Sequence, residues 1–361
     1  MRKTVIGIFC SLLIGSGIRA GEGLEVPEAL KGVKFEGLYY LAYQAGQKED
    51  KSNNYNKFTI NRAYFTLKKD VHRFITSRIT MDATQDETGD LKVRLKYLYA
   101  DLKFPQLGFI TKPHAEVGLV HTPWLDFEEH VNYYRMQGTM FMERVGVFNS
   151  GDFGITVMGY FAGELDKEYQ KTVNSKYPGR YGSFAFGAYN GGGYHASEKN
   201  QNKVFQERIT LRPLPDIIPG LQISELFIVG KGNLSGTMDE INDWQTFAGM
   251  LSYEHRYVTV TGQFLTGKGR NKGDWSDETD YQGYSGFAEG KLGDHWRIIG
   301  RYDFFDPDTD GDDDGKSRII AGIGYDFGKH NVLLLDYDFV DYEASGKEND
   351  SQFQATLQIH F

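Results

Sequence analysis

The chain has 361 residues with 40 Lys and Arg against 49 Asp and Glu, a formal charge of −9, and 43 Gly, 25 Phe and 23 Tyr beside 9 Pro and a single Cys. A net acidic balance argues against a nucleic-acid partner, and one cysteine cannot make a disulfide framework or a cysteine metal site. Abundant glycine and aromatics with scarce proline fit many short strands joined by tight turns, with Tyr and Phe left over for interfacial belts.

In chain order, residues 1–20 read as a Sec-type signal peptide: Arg2 and Lys3, an apolar run from Val5 to Ile14, then small residues before Ala20. Phe9 before Cys10 is not the small residue a lipoprotein signal places there. Arg2, Lys3 and Arg19 are the only charged residues of the first twenty, so cleavage takes the formal charge from −9 to −12. Residues 21–32 form a periplasmic lead-in. After Ala20 no stretch reaches the roughly 18–20 consecutive apolar residues of a membrane helix.

From there on the dominant pattern is alternation with period two, the signature of a strand with one oily and one wet face. Between turn signals it gives sixteen runs: 33–46, 56–69, 72–83, 91–104, 114–122, 152–163, 181–190, 203–212, 221–230, 244–254, 257–267, 282–292, 295–305, 317–327, 331–342 and 351–361. Each is about the 9–11 residues that cross a bilayer at a tilt. Connectors alternate in length. Those at 69–71, 254–256, 293–294 and 328–330 are tight, whereas 46–55, 191–202, 231–243, 268–281 and 306–316 are long and polar. Short turns on one rim and long loops on the other make a transmembrane antiparallel β-barrel of sixteen strands over 33–361, with the short turns periplasmic. Two connectors on the short side, 164–180 and the Pro-rich 213–219, break the rule. The last strand ends on Phe361 after unbroken alternation from Ser351, as a closing strand with its aromatic in the interfacial girdle would.

The connector 122–151 is the longest, and it is apolar: Pro123-Trp-Leu-Asp-Phe, Tyr133-Tyr and Phe141-Met. Such side chains favour a loop folded back into the barrel, where they leave water and narrow the lumen. The chain resembles the outer-membrane porins of the phosphate-selective O and P family. The resemblance rests on Phe58-Thr-Ile-Asn-Arg-Ala-Tyr64, Val117-Gly-Leu-Val-His-Thr-Pro-Trp124, Phe141-Met-Glu-Arg144 and the closing Phe361. It implies a sixteen-stranded barrel, a homotrimer and a constriction formed by 122–151. Val120 and His121 stand where Phe and Lys are common in that family, which removes one basic group near the constriction.

Strand parity assigns faces. With Leu91, Val93 and Leu95 toward lipid, Lys92, Arg94 and Lys96 form an inward row at about 6–7 Å spacing. Arg78, Arg208, Arg212, Arg297 and Arg301 are inward too, with Asp82, Asp303, Asp326, Asp336 and Asp338 on the same face of their strands. Basic rings in a low-dielectric tube favour anions, phosphate included. In the inward loop, Asp126, Glu128, Glu129, Arg135, Glu143 and Arg144 are the charged candidates for the constriction.

Asp306, Asp308, Asp310 and Asp312 resemble the start of an EF-hand loop. Ser317 in place of the bidentate Glu, and strands on both sides, exclude an EF-hand and leave a looser surface cation site or a solvated loop. No His pair has a zincin spacing, Gly283-Tyr-Ser-Gly286 lacks the nucleophile elbow, and no cofactor motif is present. The expectation is a Gram-negative outer-membrane channel, not an enzyme, for passive diffusion of small hydrophilic solutes, biased to anions. Its partners are outer-membrane lipid and lipopolysaccharide, with the barrel-assembly machinery meeting the last strand. A structural or adhesive barrel with a plugged lumen would share the strand pattern.

Overall fold

The alternating runs form sixteen antiparallel strands whose first and last members pair, Leu41 opposite Leu357 and Tyr43 opposite Ala355, so the sheet closes with no free edge. The structure is a computed structural model describing residues 30–361 except Glu49 and Glu87, with backbone alone for 50–53. The predicted signal peptide and most of the lead-in lie outside the described residues. Lys34–Phe361 is one unit. The strands are β1 Val33–Lys48, β2 Asp50–His72, β3 Ile75–Gln85, β4 Leu91–Lys103, β5 Ile110–His121, β6 Gly151–Phe161, β7 Gly182–Tyr189 and β8 Val204–Leu211. They continue as β9 Leu221–Lys231, β10 Asp243–His255, β11 Val258–Lys268, β12 Asp280–Leu292, β13 Trp296–Asp306, β14 Lys316–Gly328, β15 Asn331–Tyr342 and β16 Asp350–His360. Every strand pairs with its sequence neighbour.

The two faces differ as parity requires. Ile298, Ile323, Leu335 and Phe353 lie on the outer face, 40–49% exposed, while Ile299, Arg301 and Asp303 on the same β13 strand as Ile298 are buried inside. Phe361 closes the seam: its backbone exchanges two hydrogen bonds with Gly37, and its ring meets those of Phe35 and Tyr39. The outer face also carries two carboxylates midway along adjacent strands, Glu207 opposite Phe227 and Glu225 opposite Ile209.

One local expectation is corrected, and one strand departs from plain alternation. The polar stretch 46–55 is mostly strand, because β1 runs to Lys48 and β2 starts at Asp50. A hairpin that rises out of the apolar layer meets water on both faces, so its ladder continues while the alternation that would reveal it disappears. In β4 a bulge sets Thr80 opposite Tyr97 and Met81 opposite Leu95, leaving Lys96 as the extra residue. Past it the parity inverts, so Tyr97 and Tyr99, 7% and 8% exposed, point inward. Tyr64 also faces inward, where its hydroxyl meets Arg62 and Lys96.

The connector after β5 lies inside the barrel. It carries two short helices, α1 Leu125–Val131 and α2 Phe141–Arg144, with a 3₁₀ turn Arg135–Gln137 between them. Trp124, Phe127, Phe141 and Met142 are at most 1% exposed and join one apolar cluster with Leu226, Ile228, Met250 and Leu265 of β9–β11. Roughly 1.5–3 kcal/mol for each large side chain removed from water is the force that turns this segment inward. Gly138 ends the 3₁₀ turn at φ 140, where a Cβ would lie 2.8 Å from the Arg144 guanidinium, so only glycine lets the chain reverse there.

Candidate functional site

The apolar residues of the inward segment pack on β8–β13, and the open part of the lumen lies against β1–β7 and β14–β16. Among the described residues, two cavities lie there. One, of about 590 Å³, lies toward the Phe361 rim and is lined by Lys68, Arg78, Lys96, His121 and Asp126 among others. The second, of about 310 Å³, lies toward the long-loop rim. Tyr40 and Arg135 line both.

Arg135 is the centre of this division. Its side chain is 5% exposed, and it donates to Glu143 at 2.6 and 2.9 Å and also to Glu129. Burial pushes the Glu143 carboxyl up, but the adjacent guanidinium outweighs it and holds the group down at about 2. Arg144 donates to Asp303 of β13 at 3.1 Å. Glu128 makes no approach to the open space: it accepts from Trp124 Nε1 at 2.9 Å and from Gln263 of β11 at 2.5 Å, and burial raises it to about 7. Tyr134 reaches Glu289 of β12 at 2.7 Å, and Gln354 of β16 donates to the Met136 carbonyl. The segment is thus tied to β11, β12, β13 and β16.

A second tie comes from the opposite rim. The connector after β6, which broke the short-turn pattern, carries a helix α3 Lys167–Thr172 capped by Asp166, and its remainder enters the lumen. Tyr177 donates to Asp126 at 2.5 Å and sets its ring edge against Phe127. Asn174 donates to the His130 carbonyl and to Glu254, and accepts from Tyr133. Partial burial would by itself raise Asp126, yet His130, His121 and the Tyr177 hydroxyl hold it well below the usual carboxylate range. Two connectors from opposite ends of the barrel therefore clasp one another within it.

The wall residues separate into groups. Lys92 stands at the long-loop rim, 70% exposed and paired with Asp86 at 2.6 Å. Arg94 lies 3.5 Å from the fully buried Asp82. Lys96 faces the larger cavity and donates to Tyr64 at 2.8 Å. The predicted row is therefore spread from solvent to the centre. Arg78 bonds to Thr80, Tyr99 and His121. Arg208 is sealed: it donates to the Pro123 carbonyl and stacks under Phe127 at 4.4 Å. Arg212 is held by Gln222 and the Gly179 carbonyl. Arg297 pairs with Asp326 at 3.0 Å, Arg301 with Asp303 at 2.8 Å and Arg318 with Asp338 at 2.6 Å. His121 is wedged against Tyr97, with Nδ1 2.8 Å from Glu116 and Nε2 3.3 Å from the Arg78 guanidinium.

Arg62 escaped the sequence reading although it lies in the quoted 58–64 motif. Parity with Tyr64 places it inward, where it donates to the Tyr64 hydroxyl and lines the smaller cavity. Arg62, Arg78 and Lys96 thus cluster on β2–β4 around Tyr64 and Tyr97, and none forms an ion pair among the described residues. Asp306, Asp308, Asp310 and Asp312 sit in the β13–β14 loop, where Asp306 and Asp308 accept from backbone N–H groups two residues on. No metal-holding group of His, Cys, Asp or Glu occurs among the described residues.

No family profile matches the chain, and no curated protein matches it in sequence. Solved structures do match its fold. OmpF of Salmonella typhi in complex with daunomycin is similar over 91% of this chain and 97% of its own, at 12% identity and TM-score 0.61. The anion-selective porin from Comamonas acidovorans is similar over 91% and 99%, at 12% identity and TM-score 0.60. A loop-deletion mutant of OmpT, an outer membrane protein of Vibrio cholerae, is similar over 92% and 100%, at 11% identity and TM-score 0.59. The chain has the closed sixteen-stranded porin barrel.

Proposed function

We propose that the protein is an outer-membrane channel for passive diffusion of small hydrophilic solutes, with its short-turn rim in the periplasm, its segment 122–151 as the constriction and a bias toward anions. The observation that carries this reading is the pair of cavities flanking Arg135 and Tyr40, bordered on one side by Arg62, Arg78 and Lys96 without acidic partners. Opposite them the loop offers Glu129 and Glu143, both engaged by Arg135. Fixed cations in a confined, low-dielectric passage lower the barrier to anions. The lumen performs no chemistry.

The finer assignment, to the phosphate-selective O and P porins, is supported by Phe58–Tyr64 and Phe141–Arg144. His121, standing between Arg78 and Glu116 where lysine is common in that family, favours a general anion preference over strict phosphate selectivity. A homotrimer, contacts with lipopolysaccharide and delivery by the barrel-assembly machinery belong to the same reading.

Planar-bilayer recording in a KCl gradient tests it. Wild-type channels are expected to reverse toward the chloride equilibrium potential. Replacing Arg62, Arg78 and Lys96 together with Gln should move that potential toward potassium, whereas Lys92→Gln should leave it in place. A triple variant that reverses where the wild type does would remove the anion-bias proposal.

A further inference from the structure

We propose that the smaller cavity, on the long-loop side of Arg135, is a binding subsite for a small polyhydroxylated monoanion of the sugar-acid class. The inference rests on the channel reading only in taking this space as part of the solute path. Its volume of about 310 Å³ is at the lower end of the roughly 300–1,000 Å³ typical of small-molecule sites.

Charge sets the valence. Four guanidinium groups line the space, and three of them face carboxylates: Arg135 with Glu129 and Glu143, Arg144 with Asp303, and Arg318 with Asp338. Arg62 is bonded to the Tyr64 hydroxyl, which leaves its charge uncompensated by any ion pair among the described residues. Of the four it is the only guanidinium with no carboxylate beside it, and so the one open to a single negative charge on a ligand. A polyanion would need further cations that are already engaged.

The other polar groups set the chemistry of the rest of the ligand. Gln44, Asn61 and Gln354 form a bonded carboxamide cluster across β1, β2 and β16, at 2.7 to 3.1 Å, and Gln352 continues it toward the rim. Facing it from the inward segment is Gln137, 3% exposed, with neither carboxamide atom hydrogen-bonded within the protein. A buried carboxamide left without partners is costly, and it offers one acceptor and two donors together. Hydroxyl groups, which donate and accept at one atom, satisfy that pattern where a bare carboxylate or an apolar ligand cannot. Sites built to bond a hydroxyl discriminate strongly against analogues lacking it.

Titration calorimetry on the full-length, detergent-folded protein provides the test, with gluconate, acetate and sorbitol as probes. Gluconate is expected to bind saturably. Acetate, which has the charge without the hydroxyls, and sorbitol, which has the hydroxyls without the charge, should bind at least about tenfold more weakly, the weight of about one well-made hydrogen bond or ion contact. Gln137→Leu should weaken gluconate about tenfold and leave acetate as it was. Equal binding of acetate or sorbitol, or no gluconate binding by the wild type, overturns the proposal without any variant having to fold. Bilayer recording separates this outcome from failure of the channel reading. Chloride current without gluconate binding rejects the subsite alone, and gluconate binding without current rejects the channel alone.

Discussion

Arg135→Ala is expected to lower the stability of the folded barrel by roughly 3 kcal/mol and to raise unitary conductance. The side chain is almost wholly buried and satisfies two carboxylates at once. Removing one member of a buried ionic group leaves the others uncompensated, which costs on the order of 3–5 kcal/mol. The low end applies because Glu129 keeps 28% of its side-chain surface in contact with solvent. Two negative charges left facing Arg62 and Lys96 would also weaken anion preference. Urea unfolding in detergent micelles, followed by tryptophan fluorescence, reads the first effect, and single-channel recording the second. Arg135→Lys should fall between, since an ammonium keeps the charge but not the two-pronged geometry. Unchanged stability and conductance in the alanine variant would mean that Arg135 does not divide the lumen.

Phe127→Ala should undock the inward segment while leaving the wall intact. Phe127 is fully buried, touches Trp124 and Tyr177 edge-on and covers the Arg208 guanidinium. Truncating a buried phenylalanine costs about 3–5 kcal/mol, and here the loss also uncovers Arg208, whose Nη2 has no hydrogen-bond partner. The barrel strands are held by their own ladder, which the substitution does not touch. The expected result is an unchanged far-ultraviolet β spectrum together with new protease cleavage between 122 and 150 and larger, noisier current steps. Loss of the β spectrum itself would show that wall and segment fold as one cooperative unit.

Most of the wall was legible because one variable, the side of the sheet, alternates with sequence position. A residue such as Arg301, between outward Gly300 and Tyr302, needs only parity to be placed inside. The failures occur where that counting is interrupted. At Lys96 a single bulged residue inverts the faces that follow, and nothing in Leu95-Lys-Tyr-Leu marks it, since Lys and Tyr both suit a wet interior. In β1 and β2 the hairpin leaves the apolar layer, so the alternation fades while the strands persist.

The lumen was legible only in its composition. The apolar residues of 122–151 indicated an inward fold, but which charges remain available depends on contacts far apart in sequence. Glu128 is taken by Gln263, Arg144 by Asp303 and Arg208 by the Pro123 carbonyl. The clasp by Tyr177 and Asn174 had a faint signal, the unusual length of the connector from 164 to 180 on a rim of tight turns. Arg62 had a stronger one, its shared face with Tyr64.

Conduction requires water to run continuously past Arg135 from one cavity to the other. Reconstituting the purified, folded barrel into a planar bilayer in KCl measures this directly. Discrete current steps that scale linearly with voltage are the predicted result; a membrane that stays silent after verified insertion of folded protein would mean a plugged lumen and would contradict it.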